Sequence, residues 1–288
     1  MSARGIRVGI AGWSYRDWEG VVYPTSKPRG FDPLRYLAGF FDCIEVNSTF
    51  YRIPPPATAE RWARVVEDRP GFRFTAKAWE GFTHAEEDEA PSAEVGAFRS
   101  AVEPLRAAGR LGAVVFQFPW HFARTLPHEA RIARLAEAFE GLPRVLEVRH
   151  ASWVEPEGID RVADLGYSLC NIDLPLARDS IRPASRVTGP IGYVRLHGRN
   201  EAAWFSRGAG RDEKYDYLYA EEEEDEWVER TKAIAARAEE TYLVANNHFR
   251  GQAPANALSI RAKLEGGRVA VPFPLLAAFE RLRRVATG

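Results

Sequence analysis

Eight short apolar runs recur along the chain with helix-like stretches between them, and this alternation limits the fold more than any other feature. The runs lie at 6–11, 43–46, 72–76, 112–116, 145–149, 167–172, 191–196 and 242–246. They are aliphatic and too short for helices, so they read as strands buried on both faces. Helical stretches are expected at 33–40, where Asp32 is the N-cap and Pro33 the first helical residue, and from Thr58 as a cap to about 67. Others are expected at 92–107, with a kink or break at Pro104, and at 128–139, 159–165 and 221–240, with closing helices at 254–264 and 275–283. Strands that alternate with helices imply a parallel sheet, because parallel neighbours need a crossover connection. Eight units predict an α/β chain closed as a (β/α)8 TIM-type barrel, a fold of about 250 residues plus insertions. It is read as a single domain over 1–288, with a core at about 6–264, closing helices to 285 and extended loops at the C-terminal mouth. An open doubly wound sheet is the alternative. No Gly-x-Gly-x-x-Gly follows the first strand, which counts against a dinucleotide fold.

The polar residues inside these runs are not scattered. Successive strand side chains point to opposite faces. If Ile44, Val46, Phe74, Ala76, Val114, Phe116, Leu146, Val148, Val194, Leu196 and Val244 face the helices, the opposite parity faces the barrel axis. That inward set holds Glu45, Asn47, Thr75, Lys77, Gln117, Glu147, Arg149, Arg195, His197 and Asn247. Each lies at the C-terminal end of its strand, the end that carries the active site in barrel enzymes. His150 and Asn246 fall on the other parity and read as supports. Trp13, Trp18, Phe50, Tyr51 and Trp153 read as loop aromatics beside the mouth, placed to stack on a sugar or base.

Three cations, Lys77, Arg149 and Arg195, stand against two carboxylates, Glu45 and Glu147. Such a cup suits a phosphate or carboxylate, which Arg meets with a planar fork and Lys with a point charge. Asn47, Gln117, Arg149, Arg195, Asn247, Trp13 and Tyr51 are the expected substrate contacts. Glu147, Glu45, Lys77 and His197 are the expected catalytic groups. A Glu45–Glu147 pair fits acid/base work. Lys77 forms a Schiff base if neighbouring cations lower its pKa, although a lysine paired with Glu45 or Glu147 is the plainer reading. A divalent metal on Glu45, Glu147, Asp173 and His197 is the weakest of the three. Cations crowd the site, and no His-x-His or His-Glu-x-x-His spacing exists, so no metal ligand and no cofactor is assigned.

Composition narrows the partners. Lys+Arg number 39 against 40 Asp+Glu, so the broad basic excess of a nucleic-acid or membrane binder is missing. The two cysteines, Cys43 and Cys170, sit in apolar runs and read as buried, inert thiols in a cytoplasmic protein. No secretory or membrane-spanning stretch is visible. The acidic run 221–226 continues into helical spacing and reads as a helix N-terminus favoured by the macrodipole. The expected function is an enzyme (hydrolase, lyase or isomerase) using acid/base chemistry at the C-terminal mouth on a small anionic substrate that bears phosphate or carboxylate, with a sugar-like body as one option. The alternatives are a nucleic-acid binding or processing protein, not favoured, and a non-catalytic ligand sensor. Oligomeric state is left open.

The motifs also resemble those of the YecE-like family, domain of unknown function 72. The likeness rests on Gly12-Trp13-Ser14-Tyr15 with Trp18 and Tyr23-Pro24, and on Glu45-Val46-Asn47-Ser48-Thr49-Phe50-Tyr51. It continues through Phe74-Thr75-Ala76-Lys77 with Thr83-His84, Gln117-Phe118-Pro119, and Glu147-Val148-Arg149-His150 with Trp153. It closes on Arg195-Leu196-His197-Gly198, Asn246-Asn247-His248 and Ala253-Pro254-Ala255-Asn256-Ala257. The resemblance spans nearly the whole chain and implies a (β/α)8-type barrel, with no settled activity attached. Trp120-His121 after Pro119, and Ala245 before Asn246, depart from the usual pattern of a second proline and an aromatic.

Overall fold

A computed structural model describes residues 5–85 and 91–287. Eight parallel strands close on themselves in sequence order, each hydrogen-bonded to the next and the last to the first. They are β1 Ile6–Ala11, β2 Cys43–Val46, β3 Arg73–Lys77, β4 Leu111–Gln117, β5 Arg144–Glu147, β6 Ser168–Asp173, β7 Ile191–Leu196 and β8 Glu240–Ala245. The chain is a (β/α)8 TIM barrel with helices between successive strands, except that β6 and β7 are joined by 174–190 without one. Closure leaves no sheet edge unpaired, and aliphatic residues such as Ile44, Val114, Leu146 and Val194 pack outward against the helices.

Local chemistry explains most helix starts. Asp32 caps helix Pro33–Leu37, its carboxylate accepting from the amides of Leu34 and Arg35 at 2.9 and 3.2 Å. The acidic run opens helix Glu221–Ala235, where Glu223 accepts from the Ala220 amide at 2.9 Å. Several boundaries differ from the expectation. The second helix spans Pro56–Val65 with Pro55 before it, so Thr58 lies inside its first turn. Helix Ser92–Ala107 runs unbroken through Pro104. That proline is close to the C-terminal end, so little of the helix lies beyond it to be disrupted. The closing segment is helix Gln252–Glu265, then Phe273–Ala278 and the 3-10 turn Glu280–Arg284. The stretch from Trp79 begins with the short helix Glu80–Thr83, and its acidic end, residues 86–90, lies outside the described residues.

Strand register corrects one parity. Val244 pairs with Arg195 across the β7–β8 ladder, and parallel partners share a face. With Arg195 inward, β8 sends Tyr242, Val244 and then Asn246 toward the axis, and Asn247 away from it. Aliphatic Val244 therefore belongs to the interior. It faces Gly9 across the β1–β8 ladder, where any larger residue would strike the Cys43 carbonyl.

Candidate functional site

The floor of the mouth is a layer of charge made by four strands. Arg195 on β7 is 1% exposed and lies between Glu45 on β2 and Glu147 on β5, both fully buried. Its Nη2 reaches Glu45 Oε1 at 2.6 Å, and its Nη1 donates to Glu147 Oε2. Arg149, just past the end of β5, donates from Nη2 and Nε to Glu147 Oε1 at 3.0 and 3.2 Å. Tyr193 donates to Glu45 Oε2 at 2.9 Å, and Thr75 stands 2.7 Å from the same phenol. Desolvating these charges is costly, and the pairing offsets that cost only because nearly every oxygen is used. Burial pushes the Glu147 carboxyl up, but the attraction of Arg195, with His197 and Arg149 adding to it, outweighs burial and holds it well below the usual carboxylate range. His197 is itself pushed down to about 4 by burial, so at neutral pH the two arginines keep Glu147 ionised.

Lys77, at the end of β3, is outside this pairing. Its Nζ donates to Gln117 Oε1 at 3.1 Å and sits 3.8 Å from the centre of the Phe50 ring. No carboxylate oxygen lies within 4.0 Å of it among the described residues, so the ion-paired reading of this lysine does not hold. Burial, then the charge of Arg195, brings its pKa down from the ordinary lysine value to about 7, with Glu45 and Glu147 opposing. His197 is fully buried. Asn246 approaches its Nδ1 at 3.0 Å, and its Nε2 stands 3.4 Å from Glu147 Oε1 without hydrogen-bond geometry. The Asn47 carbonyl oxygen is also buried without a partner.

Above the floor opens a cavity of about 420 Å³. Lys77, Arg149, Arg195, His197, Gln117 and Asn47 form its base, and Trp13, Ser14, Tyr15 and Tyr51 form one wall. Arg211, Tyr215, Asn246 and His248 form the other. Four cationic side chains therefore face the cavity, and no carboxylate among the described residues does. Tyr15 donates to the Ala11 carbonyl at 2.8 Å and stacks on His248 at 4.5 Å, which stiffens that rim. Arg211 is exposed and pairs with Asp212 at 3.2 Å. A second cavity of about 640 Å³ shares Arg149 and Tyr215 with the first and is walled by Trp120, Leu174, Trp204 and Phe205.

The structure thus brings together Lys77, Arg149, Arg195, His197, Gln117, Asn47, Trp13 and Tyr51 at one cavity. Glu45 and Glu147 lie directly beneath it and do not line it. Asn247 is not at the cavity. Its amide donates to the Tyr217 carbonyl at 2.7 Å and to Asn256 at 2.9 Å, and Asn246 takes the inward place. Trp18 and Trp153 are fully buried, their indole N–H groups donating to the carbonyls of His248 and Phe122, so neither can stack on a ligand. Asp173 accepts from Arg199 at 2.8 Å, away from the floor. Among the described residues no three His, Cys, Asp or Glu side chains gather to hold a metal. Sequence reasoning missed Tyr15, Arg211 and Tyr215. The last two come from 199–220, read as plain loop, where the short helices Glu201–Trp204 and Arg211–Lys214 carry the chain over the mouth.

A closed parallel barrel with a cation-lined C-terminal mouth is a TIM-barrel protein with a candidate anion site. The chain belongs to the family described as protein of unknown function DUF72, whose profile matches residues 7–277. The UPF0759 protein YunF of Bacillus subtilis is 26% identical over 265 residues, covering 87% of this chain and 92% of that protein. The UPF0759 protein YecE of Escherichia coli is 29% identical over 135 residues, 43% of this chain and 45% of its own. A DUF72 family crystal structure from Thermotoga maritima superposes with a TM-score of 0.80 at 31% identity, covering 91% of this chain and all of that one. One from Enterococcus faecalis gives 0.78 at 25% identity, covering 90% and 95%. These likenesses establish family and fold and name no substrate.

Proposed function

We propose that the protein is a cytoplasmic enzyme that binds a small phosphate- or carboxylate-bearing substrate at the barrel mouth and moves a proton on it. The observation that carries this reading is the cavity lining: Lys77, Arg149, Arg195 and Arg211 with no facing carboxylate among the described residues. Arg149 is aligned by Glu147 through Nε and Nη2 and is the more exposed of the two, so little is lost in ordering it when an anion arrives, while Arg195 adds its charge from the floor beneath. Asn47, Gln117, Trp13 and Tyr51 complete the contacts.

The roles of the four catalytic candidates divide by environment. Glu147 is held ionised by its arginines and has no proton to give at neutral pH. With Glu45 it fixes the floor. Lys77 faces the cavity and titrates close to neutrality, where a proton carrier is most effective. His197 is neutral at pH 7 and keeps Nε2 free of a hydrogen bond, which suits a second contact to substrate.

Calorimetric titration with sulfate, whose charge is constant across neutral pH, tests the reading. Wild-type protein should bind sulfate, and Arg149→Gln should weaken that binding by roughly 10-fold or more, the scale of one charge-assisted hydrogen bond. Equal binding by the two proteins, or none by either, refutes the anion site.

A further inference from the structure

We propose that Lys77 is a nucleophilic amine that condenses with the carbonyl carbon of an anionic aldehyde or ketone to form a Schiff base. The inference rests on the anion-site reading and narrows its substrate to carbonyl compounds that carry a carboxylate or phosphate.

The chain has five lysines. Lys27, Lys232 and Lys263 are held by carboxylates at 2.5, 2.8 and 2.7 Å, and Lys214 ends an outer helical turn of the mouth. Lys77 differs from all four. It projects from a strand end into the barrel cavity, and its neighbours are an amide oxygen and an aromatic face. The carboxylates that would pair with it are already taken, Glu45 by Arg195 and Glu147 by Arg195 and Arg149. A lysine kept for structure is normally given one of those oxygens. Here the two arginines take them and add like charge beside the amine. That is one of the arrangements that activate a lysine nucleophile. Arg149 would hold the anionic end of a substrate in the cavity that Lys77 also lines, with the charge of Arg195 beneath, which makes the attack effectively intramolecular.

The chemistry needs nothing else. The nitrogen lone pair adds to the carbonyl carbon as the π pair moves to oxygen. A proton passes from nitrogen to that oxygen and gives the carbinolamine. The C–O bond then breaks, the oxygen takes a second proton from solvent and leaves as water, and the nitrogen lone pair closes the C=N bond of an iminium. The iminium withdraws electrons from the adjacent carbon, so a C–H or C–C bond there becomes labile.

Glyoxylate, the smallest aldehyde carrying a carboxylate, is the probe. The intact protein is incubated with glyoxylate and cyanoborohydride, which reduces an imine to a carboxymethyl amine, and all five lysines are mapped by peptide mass. Lys77 should be labelled at least about tenfold faster than Lys214, with saturating sulfate slowing Lys77 alone. If Lys77 reacts no faster than Lys214 while sulfate still binds by calorimetry, the nucleophile is wrong and the anion site stands. If sulfate neither binds nor protects, the anion site itself is wrong, and the inference falls with it.

Discussion

Replacing Arg195 with methionine tests the charged floor directly. The guanidinium is buried and bridges two fully buried carboxylates. Methionine fills much of the same volume and offers no donor, so Glu45 loses its cation and Glu147 keeps only Arg149. Breaking a buried pair from one side costs about 3–5 kcal/mol, because a desolvated charge is left without compensation. At an unfolding entropy of about 2.1 cal/mol/K per residue, each kcal/mol is worth about 1.7 °C for a chain of this length, so Tm falls by about 5–8 °C. The loss depends on pH, and the sign follows from Glu147. In the wild type its pKa is depressed, so its contribution is present above the unfolded value of about 4.3 and is lost only as pH falls below it. In the variant burial dominates and raises the folded pKa. That contribution is complete below about 4.3 and is lost as pH rises through the raised value, by up to about 1.4 kcal/mol per pH unit. The gap between the proteins therefore widens from pH 5 to pH 8. Urea unfolding at both pH values measures it. A gap below about 1 kcal/mol, or one that is the same at both, refutes the account of the floor.

Other outcomes follow from the same geometry. Sulfate affinity should fall as pH rises through about 7, because Lys77 is charged below that value and neutral above it; calorimetry on Lys77→Met should show a flat profile. Arg211→Ala removes an exposed rim cation, so sulfate binding should weaken by roughly 3- to 10-fold while stability changes by less than about 0.5 kcal/mol in a urea titration. Gly9→Ala places a Cβ 2.0 Å from the Cys43 carbonyl oxygen inside the barrel, and the forced shift should cost about 3 kcal/mol, the upper end of the usual overpacking range, read as a lowered urea midpoint.

The barrel and most of its floor were legible in the sequence because both rest on periodicity. A period of two with aliphatic residues on one parity leaves Glu45, Lys77, Gln117, Glu147 and Arg195 nowhere to point except inward. On β8 the same logic failed. Leu243, Val244 and Ala245 are apolar on both faces, so parity alone cannot choose between Asn246 and Asn247. Only the pairing of Val244 with Arg195 decides it, and register is a tertiary fact. Trp18 and Trp153 sit in loop sequence beside recognised motifs, yet each is drawn inside because its ring fills a gap and its N–H finds a backbone carbonyl. Arg211 and Tyr215 carried no periodic signal, since the loop that brings them over the mouth is placed by contacts far away in the chain. The lack of a carboxylate beside Lys77 was equally invisible, because it depends on which cation reaches each oxygen first.

That mouth loop, 199–220, is fastened near both ends by groups the sequence made look functional. At its start Arg199 binds Asp173 of β6, and its other nitrogens reach Glu223 and Glu226 at 3.0 and 3.1 Å. Near its end the Tyr217 carbonyl accepts from Asn247, and the Tyr219 hydroxyl accepts from the Gly198 amide at 2.9 Å. Asn200 ties the middle, its amide donating to the carbonyls of Glu213 and Asp216 at 3.0 and 3.1 Å. Asp173 and Asn247 thus act on the cavity only through the loop they hold. The site then has two parts with different physics. The floor is a buried ion network in which every oxygen of Glu45 and Glu147 is taken, so loss of a partner costs stability as well as affinity. The rim places Arg211 in solvent on a pinned loop, where a change costs affinity alone. Variation in ligand preference among chains of this architecture should therefore concentrate on the rim, and the Arg195 and Arg211 variants separate the two parts because only the first should unfold the protein more easily.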